Sequence, residues 1–180
     1  MTRSRSALGA SRIVALALAL GALAGCASDQ APTVSQPSFY RNLTEPGAVL
    51  DAQGAEAMIS NYRQNNGLNT LTLDPTLMKL AQDQAAAMAA RNKMDHDVAG
   101  SFKARIAGSG FDAKIAAENI SAGYQTMAEA FSGWRDSPPH RANMLLKGAT
   151  RMGIAAVYAP GTKYRVFWSL IVAAPDDKRA

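Results

Sequence analysis

The sequence predicts an α+β domain in which helices pack over an antiparallel sheet. Two observations predict this fold class: apolar residues recur at helical spacing through residues 51–146, and β-rich runs replace them after residue 150. The last run contains Leu170-Ile171-Val172, which is apolar throughout, as expected of a central strand covered on both faces. Helices that come first and strands that follow favour a helical layer packed against a separate sheet.

Two helices open the predicted domain. The first spans residues 51–65 and is stopped by Asn66-Gly67. The second begins at Asp74-Pro75, because an aspartate side chain can cap free amides and proline fits the first helical turn. An alanine-rich stretch over 85–90 then allows a neighbouring element to approach this second helix closely.

Three shorter elements follow. Ser101 is expected to cap a short helix, and a strand is predicted over 115–120. Thr126 and Glu129 form a capping box, whose reciprocal hydrogen bonds satisfy two amides and open another helix. A further helical turn is predicted over 140–146.

The C-terminal part predicts a β-hairpin. Its strands cover residues 152–158 and 164–172, and Ala159-Pro160-Gly161-Thr162 supplies the turn between them. Tyr164 and Trp168 are four positions apart, so we expect them on the same side of the second strand, packed under the helices.

Residues 1–25 predict a lipoprotein signal peptide. Three arginines precede an apolar stretch over 13–24, which is shorter than the about 20 residues needed to span a bilayer. The stretch ends in Leu23-Ala24-Gly25-Cys26, a pattern similar to a lipobox, in which the cysteine receives diacylglycerol. An ordinary signal peptide with a chance cysteine and a short buried helix are the alternatives.

Lipid on Cys26 implies an exported protein that is held to a membrane through its N-terminus. Ala27-Ser28 lacks the aspartate that typically retains lipoproteins at the inner membrane, which predicts the periplasmic face of the outer membrane if the cell is Gram-negative. Residues 26–48 are rich in Ser, Gln, Pro and Thr and predict a flexible tether. Phe39, Tyr40 and Leu43 are the tether residues suited to dock onto the domain.

Composition excludes several classes of function. Cys26 is the only cysteine, so once it carries lipid no thiol is left for catalysis, metal binding or a disulfide. Removing Arg3, Arg5 and Arg12 with the signal peptide leaves 16 of the 19 basic residues against 14 acidic ones. The basic residues are scattered, which argues against a nucleic-acid partner.

Two histidines and one glutamate are the candidate chemical groups. Glu118 lies in an apolar segment, where a carboxylate is costly to bury without a partner. With His96 and His140 it would complete the ligand set of an open zinc site, although the intervals of 22 residues match no metal motif. Alternatively, His96 is a solvated loop residue, His140 a helix cap, and Glu118 an ion-pair partner of Arg141 or Arg105.

Several sequence blocks occur together in a fixed order, and with them the chain resembles the CAP family (cysteine-rich secretory, antigen 5 and pathogenesis-related proteins). The resemblance covers residues 50–175 and is strongest to the disulfide-free bacterial members. The blocks are Met94-Asp95-His96, Ala117-Glu118-Asn119-Ile120, Trp134 with Ser137-Pro138-Pro139-His140-Arg141 and Asn143, Met152-Gly153-Ile154, and Tyr164 with Trp168-Ser169.

The resemblance implies a three-layer α-β-α sandwich with a cavity between the layers. Two histidines and two acids line this cavity in the family and in some members bind Zn²⁺ or another divalent metal. By position, His96, His140 and Glu118 match three of them, and Asn119 and Ser169 belong to the cavity as flanking residues. The second acid has no counterpart at its usual place, where 97–101 offers only Asp97.

The function expected from the resemblance is ligand binding in the cell envelope. In this hypothesis the His/His/Glu cavity takes a divalent metal, an unknown small ligand or an envelope component. A hydrolase that acts through the histidines and Glu118, with or without metal, is the alternative, so enzymatic activity stays open. A purely structural role in adhesion or assembly is the third hypothesis.

Overall fold

The structure is a computed structural model that describes residues 36–176. The predicted signal peptide, Cys26 and the first part of the tether lie outside the described residues. Within the described part of the chain, no helix combines the length and the apolar character that crossing a membrane requires.

Between residues 36 and 176 the chain forms five α-helices and four β-strands, preceded by a 3₁₀ turn at Ser38–Tyr40. The helices are α1 (Ala52–Asn65), α2 (Pro75–Arg91), α3 (Phe102–Gly108), α4 (Met127–Asp136) and α5 (Pro138–Met144). The strands are β1 (Thr72–Leu73), β2 (Ala113–Ala122), β3 (Arg151–Tyr158) and β4 (Val166–Pro175).

The predicted helix starts are confirmed by their caps. The Asp74 carboxylate accepts hydrogen bonds from the backbone amides of Thr76 (2.9 Å) and Leu77 (3.1 Å) at the start of α2. At the start of α4, Thr126 and Glu129 form both bonds of the capping box. Each cap satisfies amides that a helix leaves without an internal partner.

The sheet is mixed, which corrects the prediction of a purely antiparallel one. Its strand order is β1-β3-β4-β2, and β4 pairs antiparallel with both of its neighbours. Strand β1 runs parallel to β3, with Thr72 opposite Arg151 and Leu73 opposite Met152. Two residues are too few to show the alternation that predicts a strand, so β1 left no recognisable pattern in the sequence.

The central position predicted for Leu170-Ile171-Val172 is confirmed, because β4 is buried from Val166 to Ala174. The prediction that Tyr164 and Trp168 share one side is wrong. Arg165 has a φ of 64°, which breaks the alternation before the strand begins at Val166. Tyr164 therefore packs with Phe167 (ring centroids 5.8 Å apart), whereas Trp168 packs with Trp134 on the other face (6.4 Å).

Helices cover both faces of the sheet, as the three-layer sandwich requires. One face packs against α2 and α3 through Leu77, Ala81, Ala85, Ile106, Ala155, Ile171 and Ala173. The other face packs against α1, α4 and α5 through Ile59, Ala130, Trp134, Met144, Met152, Ile154, Trp168 and Leu170. The sheet is therefore the middle layer, and the core lies on both sides of it.

Gly153 permits the closest contact between α2 and the sheet. A Cβ atom at this position would lie within 3.0 Å of the Leu77 carbonyl group and the Met78 amide nitrogen. These atoms belong to the backbone of α2, which cannot move aside alone. Glycine at 153 therefore lets the helix backbone rest directly on β3.

Arg63 connects α1 to the segment that follows α5. Its side chain is fully buried and donates to the backbone carbonyls of Asn69, Met144, Leu146 and Ala149 at 2.9–3.0 Å. Burial lowers the pKa of this guanidinium. Two of these carbonyls close α5, so Arg63 fixes the C-terminal end of that helix.

The last part of the predicted tether lies against the domain. Leu43 is buried, and its backbone amide donates to the carbonyl of Gln125 at 2.8 Å. Phe39 is partly buried against the core, and Tyr40 stays 49% exposed. Of the three residues suited to dock, Leu43 and Phe39 therefore contact the domain core.

Candidate functional site

The candidate residues reach strand β2 from both helical layers. His96 lies in the loop between α2 and α3, and His140 lies in the first turn of α5. Strand β2 is an edge strand, and its successive side chains alternate between the two faces. Glu118 contacts α3 and its neighbouring loop, whereas Asn119 contacts α5. We call His96, Arg105, Glu118 and His140 the histidine cluster.

Glu118 is the buried centre of this cluster. Its side chain is 2% exposed, and both carboxylate oxygens lie 2.9 Å from Nη2 of Arg105. Oε2 also lies 2.8 Å from Nδ1 of His96, and Oε1 accepts a longer bond of 3.4 Å from the hydroxyl of Ser169. The partner that a buried carboxylate requires is therefore Arg105, one of the two arginines considered from the sequence.

Arg105 holds the carboxylate and the His96 loop together. Its side chain is 7% exposed, and it donates from Nε to the carbonyl of Gly100 (3.0 Å) and from Nη2 to that of His96 (3.1 Å). Nη1 is buried and forms no hydrogen bond with any described residue. The guanidinium also lies 5.3 Å from the ring centre of Phe102. Arg105 is thus fixed by four separate groups.

His96 is oriented through one ring nitrogen and is half exposed. An ionised carboxylate only accepts hydrogen bonds, so the contact with Glu118 places a hydrogen on Nδ1, and in the neutral form of the ring the lone pair is then on Nε2. The side chain is 50% exposed. The fully buried Gln84 donates from Nε2 to the carbonyl of His96 at 3.1 Å and thereby fixes the backbone of the loop.

His140 is held by hydrogen bonds to Ser137 and Asn119, and its pKa is lower than that of a free histidine. Its Nδ1 lies 2.8 Å from the hydroxyl of Ser137, and its backbone carbonyl accepts a bond of 2.9 Å from the amide of Asn119. Burial, and secondly the charge of His96, lower the pKa of His140. The neutral imidazole is therefore favoured near pH 7, and the two histidines are close enough to influence each other.

Asn143 fastens α5 to β2. Its side-chain amide donates to the carbonyl of Glu118 at 3.1 Å and to Oδ1 of Asn119 at 2.9 Å. The side-chain amide of Asn119 in turn donates to the backbone carbonyl of His140, 21 residues away in sequence. The two asparagines thus set the position of His140 relative to Glu118.

Two further predicted residues take up other positions. Ser169 has no exposed surface and lies beneath Glu118, where its hydroxyl supports the carboxylate. Asp97, considered in place of the missing acid, is exposed, and its amide donates to the side chain of Asp95 at 2.9 Å. The carboxylate that the cluster contains is therefore that of Glu118.

The donor set does not match a His/His/Glu metal centre as it is placed. Within residues 36–176, no group of three or more His, Cys, Asp or Glu side chains is arranged to hold a metal ion. Both oxygens of Glu118 are engaged by Arg105 and His96, which leaves two imidazoles where zinc sites use three or four protein ligands. Metal binding by His96, His140 and Glu118 stays a prediction.

Sequence reasoning missed the supporting roles of Gln84 and Asn143. Gln84 is a polar residue on the apolar face of α2, and that position signals a buried hydrogen-bonding task. Asn143 lies three residues after His140, so a helix brings both side chains towards one side. Neither pattern predicts which residue is the hydrogen-bond partner, because each partner is distant in sequence.

Comparison with known proteins gives consistent matches. The model of the cysteine-rich secretory protein family, CAP, matches residues 57–172. An uncharacterized protein of Bacillus subtilis (strain 168), YkwD, is 35% identical over 97 residues, which cover 53% of this chain and 38% of that protein. The match therefore spans well under half the length of that relative.

Solved structures share the fold. An outer surface protein from Borrelia burgdorferi superposes with a TM-score of 0.61 at 18% identity, covering 67% of this chain and 90% of that one. An extracellular protein containing a SCP domain from Bacillus anthracis superposes with a TM-score of 0.58 at 23% identity, covering 72% of this chain and 43% of that one. Both are named as proteins of the cell exterior.

Proposed function

Since the chain belongs to the CAP family of cysteine-rich secretory proteins, we propose that it is an exported envelope protein that binds a small polar ligand at its histidine cluster. One observation carries the proposal: two imidazoles from opposite layers are each held through Nδ1. No hydrogen bond to Nε2 of either ring forms within residues 36–176. Both Nε2 atoms are thus left for a ligand.

The two rings offer complementary hydrogen bonds. In the neutral form of His96, Nε2 is an acceptor, because the single ring proton lies on Nδ1 towards Glu118. The hydroxyl of Ser137 can donate to or accept from His140, so Nε2 of His140 can act as a donor. One acceptor beside one donor suits a hydroxyl or an amide group. His96 is half exposed, so a ligand can reach it from solvent.

Histidine NMR tests this proposal directly. The chain contains two histidines, so ¹³C-labelled histidine reports on the cluster alone. We expect acetamide, raised to about 50 mM because fragments of this size bind weakly, to shift both histidine signals with one common midpoint. Substitution His140→Ala should weaken the response of His96. Lys114→Ala, at an exposed position outside the cluster, should leave it unchanged.

Two results would contradict the proposal. Different midpoints for the two signals would mean that the imidazoles do not share a ligand. Unchanged signals throughout the titration would mean that the free Nε2 atoms do not form a binding site.

The pair of His96 and Glu118 favours hydrolysis as a second candidate. A buried carboxylate that orients an imidazole is the arrangement that serves a general base. Ser169 is buried beneath the carboxylate, so the nucleophile would be water activated by His96. Turnover of peptide, ester or peptidoglycan substrates that falls about 100-fold in His96→Ala would support this candidate. No turnover of any of these substrates would count against it.

We also propose that the protein is anchored through lipid on Cys26, at the periplasmic face of the outer membrane if the cell is Gram-negative. The lipobox-like pattern supports the lipid anchor, and the exterior location in the names of two similar proteins supports export. Labelled palmitate fed to expressing cells should enter the wild type and not Cys26→Ser. Equal release of both proteins from washed membranes would refute anchoring.

A further inference from the structure

We infer that Arg105 determines what the histidine cluster binds, and that it excludes divalent cations. The inference rests on the proposed function, because it concerns the same cluster. Some members of the family bind a metal at these positions, whereas here Nη2 of the buried Arg105 lies 2.9 Å from both oxygens of the Glu118 carboxylate, which would have to attract the metal.

The charge of Glu118 is neutralised within the cluster. Arg105 and Glu118 are 7% and 2% exposed, so their charges interact with little screening by water. The positive guanidinium cancels the negative carboxylate at this spot. The nearby carboxylate of Asp95 is likewise paired, with Lys93 at 2.6 Å. The Glu118 carboxylate would therefore give a divalent cation beside the imidazoles almost no net attraction.

Arg105 cannot move away from Glu118 at low cost. Its Nε and Nη2 hold the carbonyls of Gly100 and His96, so displacement would break the loop contacts as well as the ion pair. A guanidinium stays protonated in proteins, and removing Glu118 from it would leave a buried charge unpaired. Glu118 is thus kept from becoming a third metal ligand.

The guanidinium itself is unsuited to bind a metal ion. Nη1 of Arg105 is buried without a hydrogen-bond partner among the described residues. Because the guanidinium nitrogens carry hydrogens and no free lone pair, they can donate to an acceptor but cannot coordinate a cation.

Zinc titration of Arg105 variants tests the inference. Zn²⁺ is titrated into the full chain by calorimetry, with the His96→Ala/His140→Ala double variant as the blank for other sites. We expect Arg105→Gln to bind Zn²⁺ at the cluster at least about tenfold more tightly than the wild type, because one positive charge is removed. Arg105→Lys keeps the charge and should resemble the wild type. Adding His140→Ala to Arg105→Gln should abolish the gain.

The stability of each variant gives a second reading. If Arg105→Gln loses stability, Zn²⁺ should raise its Tm while leaving those of the wild type and Arg105→Lys unchanged. Zinc binding by the wild type as tight as by Arg105→Gln would overturn the inference, and so would an Arg105→Gln variant that zinc neither binds nor stabilises. The acetamide titration of wild-type histidines is independent of zinc, so failure of the proposed function would be seen separately.

Discussion

Replacing Gly153 with alanine should destabilise the domain strongly, although the change adds one methyl group. The added Cβ would come within 3.0 Å of the carbonyl carbon and oxygen of Leu77 and the amide nitrogen of Met78. Overpacking a core costs about 1–3 kcal/mol, and the upper end applies here because all three contacts are backbone atoms of α2. The whole helix would have to shift away from β3.

Urea denaturation followed by circular dichroism measures this cost. A loss of about 3 kcal/mol corresponds to a fall in Tm of roughly 10 °C for a domain of this size. Gly161→Ala is the matched control, because nothing lies within 4 Å of a Cβ built there and the backbone is not left-handed. We expect this control to stay within about 0.5 kcal/mol of the wild type. Equal stability of the two variants would refute the close-contact argument.

Other substitutions probe the connections around the cluster. Arg63→Met should cost about 3 kcal/mol in urea denaturation, because four hydrogen bonds from a buried guanidinium to backbone carbonyls are lost. Glu118→Gln should cost about 3 kcal/mol by the same assay, because buried Arg105 loses its counter-charge. The pKa of His140 is lowered in the fold, so its contribution to stability is complete above the unfolded value of 6.5 and declines as pH falls through it. Denaturation at about pH 7.5 and 5.5 should therefore show a smaller loss for His140→Gln than for the wild type.

The helices could be predicted because their signals are local. Asp74 caps α2 through amides two and three residues away, and Thr126 bonds Glu129 within one turn. Strand β1 could not be predicted in this way, since its two residues pair with β3 almost eighty positions later in the sequence. The side of the sheet on which Tyr164 packs depends on the left-handed backbone at Arg165. An arginine gives no sequence signal for that conformation, which is uncommon outside glycine.

The candidate site was predictable in part. Family resemblance brought His96, Glu118 and His140 together, and the cost of burying Glu118 predicted that it would have a partner. The choice between Arg105 and Arg141 depends on how α3 lies over β2, and residue spacing does not encode that arrangement. The same tertiary packing decides that Glu118 faces a guanidinium instead of standing free as a ligand.

Helix α5 is fastened to β2 in its first turn, where Asn119 bonds the His140 carbonyl, and near its C-terminal end, where Asn143 bonds β2 and Arg63 bonds the last carbonyls. The His96 loop has its own anchors in Gln84 and Arg105. A ligand of the proposed kind would therefore meet two imidazoles that are already immobilised, and its binding would cost little conformational entropy. The ligand-free and ligand-bound forms of the protein should superpose within about 1 Å. Selection among ligands then depends on how well each one fits the fixed imidazoles, and not on a conformational change that closes the site.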